Sequence, residues 1–69
     1  MEINWIEIKV WMKINIYSNK KALWVPKGLF TIKRFYKIWW NDHIELKGNL
    51  SQTVVWNIDM LKLVDFKKI

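Results

Sequence analysis

Few side chains in this sequence can do covalent or acid–base chemistry. There are one histidine (His43), two serines (Ser18 and Ser51), six carboxylates and no cysteine. A nucleophilic serine needs a base within reach and a third group to orient that base. Ser18 and Ser51 both fall in turn-forming stretches, and neither sits in a Gly-x-Ser-x-Gly elbow. Asp42, His43 and Glu45 lie close in sequence. On an extended chain, however, Asp42 and His43 point to opposite faces, and no second histidine completes a metal-binding set. The carboxylates are scattered, with no pair placed for general acid and base roles. The only glycines, Gly28 and Gly48, cannot form a phosphate-cradling loop. The expectation is a protein that is not an enzyme and uses no metal or cofactor.

Recognition is better provided for than catalysis. Six Trp, two Tyr and three Phe accompany twelve Lys and Arg, against six Asp and Glu, for a net charge of +6. Such a field attracts nucleic acid, an anionic membrane or an acidic protein surface, without choosing between them. Arg34 is the only arginine. The rest are lysines, point charges suited to phosphate or carboxylate rather than to bidentate base reading. Ile, Lys and Asn make up 27 of the 69 residues. All three have AT-rich codons, which suggests an AT-rich bacterial or phage gene, with a phage or mobile element as the expected source, and also offers a compositional source for the lysines.

Residues 3–17 alternate. Ile6, Ile8, Val10, Met12, Ile14 and Ile16 share one parity, and Trp5, Lys9, Trp11, Lys13, Asn15 and Tyr17 fall on the other. This predicts a strand with one buried face. Its outward residues Trp5, Lys9, Trp11, Lys13, Asn15 and Tyr17 form a candidate binding face. Indoles among ammonium groups suit a protein interface or stacking on unpaired bases. The plain alternative is that a helix or a second subunit covers them as core. A second candidate is a basic stripe of Lys27, Lys33, Arg34 and Lys37, which on a helix faces phosphates, an acidic partner or only water.

The elements that must position these residues follow from the turn signals. Ser18 to Lys21 reads as a turn, and Ala22 to Val25 as a second strand ended by Pro26 and Gly28. Leu29 to Trp40 supports two patterns. We read it as a helix capped by Thr31, with Leu29, Ile32, Phe35, Tyr36, Trp39 and Trp40 on one side, although its β-branched and aromatic residues favour a strand. Short strands follow at His43–Lys47, Gln52–Trp56 and Leu61–Phe66. The fold class expected is α+β, mainly β: a small curled antiparallel sheet of about five strands with one short helix, in the order β-β-α-β-β-β. An all-β small barrel is the alternative.

At 8.5 kDa, residues 1–69 make a single domain whose core supplies about 3–5 kcal/mol. Without cysteine, disulfide staples are absent and self-association is expected, as a homodimer. No run of 18 apolar residues predicts transmembrane insertion, and the acidic, alternating start is unlike a signal peptide. The location expected is the cytoplasm of a bacterial host. The functional expectation is a non-enzymatic, macromolecule-binding accessory or inhibitor protein that occludes a host protein surface, such as a defence or nucleic-acid-handling complex. The alternatives are a single-stranded nucleic-acid binder and a cationic membrane-active peptide lying on a bilayer through its 29–40 helix.

Overall fold

The computed structural model describes residues 2–69. A short hairpin of β1 (Glu2–Ile3) and β2 (Ile6–Glu7) opens the chain. Then come β3 (Lys13–Ser18), β4 (Gly28–Ile38), β5 (Asn41–Gly48), β6 (Thr53–Asn57), the one-turn helix α1 (Ile58–Lys62) and β7 (Asp65–Lys68). β3 to β6 form a meander. The connection from β6 to β7 passes β5, β4 and β3, so that β7 pairs with β3 at the far edge, giving the sheet order β6-β5-β4-β3-β7, antiparallel throughout. The protein is therefore mainly β, with a five-stranded antiparallel sheet and one short helix. The sheet is open: among the described residues β6 and β7 are its two edges, and the barrel alternative does not form.

Alternation along each strand sorts the sheet into two faces. Ile14 and Ile16 of β3, Phe30 and Ile32 of β4, Ile44 and Leu46 of β5 and Phe66 of β7 are buried together, with Phe35, Val54 and Trp56 packed against them. Three segments cover this face: the β1–β2 hairpin and the residue after it (Ile3, Ile6, Ile8), the 19–27 loop (Ala22, Val25), and α1 with the turn behind it (Ile58, Leu61, Val64). Each fully buried aliphatic side chain contributes about 1.5–3 kcal/mol of transfer free energy. The opposite face, carrying Lys13, Asn15, Thr31, Arg34, Tyr36, His43, Glu45 and Lys47, is uncovered.

The helix expected over 29–40 is replaced by β4. The register explains the pattern: Ile32 pairs with Leu46 but Arg34 pairs with Glu45, so Lys33 is an extra residue in a β-bulge. A bulge shifts the alternation by one. The core residues then fall at Phe30, Ile32 and Phe35, and the last interval imitates a helical turn. The helix lies instead at 58–62, running into the stretch where the strand Leu61–Phe66 is expected. Asn57 Oδ1 accepts a bond from the Asp59 N–H at 2.9 Å, and Ile58 and Leu61 point inward at i, i+3 spacing.

The single strand over 3–17 also divides. Fifteen extended residues would reach about 50 Å, and the longest dimension of the molecule is 29 Å. Asn4 and Trp5, both at positive φ, reverse the chain between Ile3 and Ile6, as a type I′ hairpin turn requires. Residues 22–25 form consecutive turns rather than a second strand, closed by Ala22 N–H to the Asn19 carbonyl and Val25 N–H to the Ala22 carbonyl.

Candidate binding surface

Five of the six tryptophans stand in solvent: Trp5, Trp11, Trp24, Trp39 and Trp40. Only Trp56 is half-buried, tilted against Phe30 with ring centroids 6.0 Å apart. All five exposed indoles lie in connections rather than in strands. Trp5, Trp11 and Trp39 have φ of 69°, 69° and 61°, a left-handed backbone that strains a bulky residue. These turns therefore present large apolar groups on backbone fixed by the adjoining ladders.

The most developed cluster surrounds Trp11. The Trp11 N–H donates to the Ile32 carbonyl at 2.7 Å, and the Ile32 N–H donates to the Met12 carbonyl at 2.9 Å. These bonds extend the β3–β4 ladder and set Trp11 beside the bulge. There the Lys33 ammonium lies 4.1 Å from the Trp11 ring centroid, a cation–π contact worth about 0.5–1 kcal/mol at an exposed site. On the other side the Ile69 N–H donates to the Lys13 carbonyl, so the end of β7 adjoins the same turn. Between them is an open groove of about 480 Å³ lined by Glu7, Lys9, Val10, Trp11, Met12, Lys13, Lys68 and Ile69. Its lining combines indole, thioether and aliphatic surface with three ammonium groups (Lys9, Lys13 and Lys68) and one carboxylate (Glu7).

Of the alternating set, Lys9, Trp11 and Lys13 meet at this groove, while Asn15 and Tyr17 continue along the outer face of β3. Lys67 there lies 5.9 Å from the Tyr17 ring centroid. Trp5 is elsewhere. Its neighbour Asn4 donates from Nδ2 to the Val64 carbonyl at 3.3 Å, at the opposite end of β7 from Ile69, about 16 Å of extended chain away. The basic stripe does not form as such: Lys27, Lys33, Arg34 and Lys37 are strung before and along β4. Lys33 joins Trp11, and Arg34 bonds Glu45 Oε1 at 3.0 Å while lying 4.8 Å from the Tyr36 ring centroid. Lys68 and Ile69, which complete the groove, were not singled out in the sequence because nothing local announces that β7 pairs with β3.

His43 stacks on Tyr36, centroids 6.0 Å apart. Its Nδ1 lies 3.1 Å from the Asn41 carbonyl oxygen, an acceptor for the Nδ1–H tautomer. Among the described residues no three His, Asp, Glu or Cys side chains gather as a metal set, and no polar side chain is buried. No helix is long and apolar enough to cross a membrane.

The fold and this surface define a small, mainly β protein with one uncovered sheet face and a cationic, aromatic groove at its β3–β7 side. No protein-family model, curated protein or solved structure matches the chain.

Proposed function

We propose that this chain is a non-enzymatic binding protein that docks an acidic protein surface in the Trp11 groove and occludes it. The observation that carries this reading is the Lys33–Trp11 stack beside a groove rimmed by Lys9, Lys13 and Lys68. An apolar anchor with three cations and one carboxylate, Glu7, about it fits a partner side chain flanked by carboxylates. The finer reading is an accessory or inhibitor protein of a phage or mobile element, acting in the cytoplasm of a bacterial host. It rests on the Ile, Lys and Asn bias of the sequence.

Two observations favour a protein over unpaired bases. One face of Trp11 is occupied by Lys33, and one face each of Tyr17 and Tyr36 by Lys67 and Arg34. Trp39 and Trp40 are tilted at 35° and offer no parallel pair of surfaces for successive bases. The interfacial-helix reading loses its helix, since 28–38 is strand.

The test compares wild type with Trp11→Ala on immobilised protein exposed to a bacterial host lysate, with single-stranded DNA and RNA titrated separately at about 50 and 200 mM salt. The expected result is one defined protein retained by wild type and released at least tenfold more readily by Trp11→Ala. Micromolar nucleic-acid binding at the lower salt, lost in Trp11→Ala, replaces this reading with the nucleic-acid one. Retention of no protein, or equal retention by the variant, overturns it.

A further inference from the structure

We infer that two copies of this chain pair through the free edge of β6, antiparallel about a two-fold axis at Val55, joining their sheets into one. β6 pairs with β5 on one side and, among the described residues, with nothing on the other. Its hydrogen-bonding phase can be read from the turn before it, where the Gly48 N–H donates to the Gln52 carbonyl at 2.8 Å. In an antiparallel ladder, bonded and non-bonded pairs alternate. Gly48–Gln52, Leu46–Val54 and Ile44–Trp56 are therefore the bonded pairs. Thr53, Val55 and Asn57 turn their N–H and C=O groups away from β5, toward the open edge.

Exposed edges are usually guarded by lysine, proline or a bulge, and β6 has none of these. It lies in the longest uncharged run of the chain, Gly48 to Ile58. That run selects the occupant. Two molecules of charge +6 repel, and they can come together only where no lysine faces a lysine. β7, the other edge, is guarded: two of its four residues are Lys67 and Lys68. In the two-fold register Val55 faces Val55, Thr53 faces Asn57 and Val54 faces Trp56 across the seam. The same register carries the exposed Leu50 toward α1 of the second copy. Because β6 and β7 are opposite edges of the sheet, the Trp11 grooves remain open at the two far ends. The dimer is thus bivalent for any partner that groove holds.

The test is sedimentation equilibrium on the whole chain from about 1 to 300 µM, with amide hydrogen exchange at both extremes, for wild type and Val55→Lys. The variant places one ammonium opposite another at the axis, and within its own sheet it lies opposite Glu45, so it is compatible with the fold. Circular dichroism checks that directly, and Val55→Thr, which adds no charge, serves as the second variant. Wild type is expected to reach twice 8.5 kDa and dissociate on dilution. The Thr53, Val55 and Asn57 amides should be protected only in the dimer. Val55→Lys is expected to weaken association at least about a hundredfold, and Val55→Thr less than about tenfold. A monomeric wild type at 300 µM, a Val55→Lys dimer of unchanged strength, or protection of these amides in the monomer would each overturn the inference.

Discussion

Three tryptophans hold a backbone conformation that their side chains make costly. The left-handed region costs a non-glycine residue about 1–2 kcal/mol, and Trp5, Trp11 and Trp39 all occupy it. At Trp5 nothing in the fold offsets this, because the residue is 92% exposed and its indole makes no core contact. Trp5→Gly should therefore raise stability, by about 0.5–1 kcal/mol after the greater freedom of an unfolded glycine is counted. The measurement is a urea midpoint at a concentration where the protein is monomeric. A lower midpoint would mean that the indole packs on its neighbours. Trp11 differs, since the strain there holds a ring under Lys33. Trp11→Gly relieves the backbone but removes the stack, so its stability change should be smaller than that of Trp5→Gly.

At the scale of elements, legibility followed the period of the pattern. Ile14 and Ile16 were readable as core because nothing interrupts the alternation of β3. Phe30 was not, because the Lys33 bulge shifts the phase of β4, so that Ile32 and Phe35 imitate a helical face that leaves Phe30 out. The Trp11 site was half readable. Its outward parity and its lysine neighbours are local, whereas Lys33, Lys68 and Ile69 arrive through pairings between strands distant in sequence. The 19–27 loop was misread because its order comes from side-chain bonds. Asn19 Nδ2 donates to the Val25 carbonyl at 2.6 Å and to the Leu23 carbonyl at 3.4 Å, holding Ala22 and Val25 against the sheet. Asn19→Ala should cost about 1 kcal/mol. Asn19→Asp should cost more, because an acceptor then faces two carbonyls. Both follow from urea midpoints, and an Asp variant as stable as wild type would show that the amide bonds do not hold the loop.

For the molecule as a whole, the net charge acts on stability as well as on partners. Arg34–Glu45 and Lys62–Asp59 form ion pairs. Both involve exposed groups, and such pairs contribute about 0–1 kcal/mol each. Against them stand twelve cations on a chain with six anions, within a radius of gyration of 11.0 Å. That radius is close to the screening length of about 10 Å at 0.1 M salt, so at low ionic strength most cations sense one another across the molecule. Added salt weakens these attractive pairs and the many repulsions together, and the repulsions are more numerous. The melting temperature at low protein concentration should therefore rise by several degrees between about 20 and 300 mM KCl, with most of the gain below about 100 mM, where the screening length falls fastest. A fall would mean that local attractions outweigh the net field. The same screening weakens an acidic partner's hold on the Trp11 groove, so the folded state and its proposed complex should respond to salt with opposite signs. A purely apolar contact at Trp11 would leave affinity unchanged over that range while the melting temperature still rose.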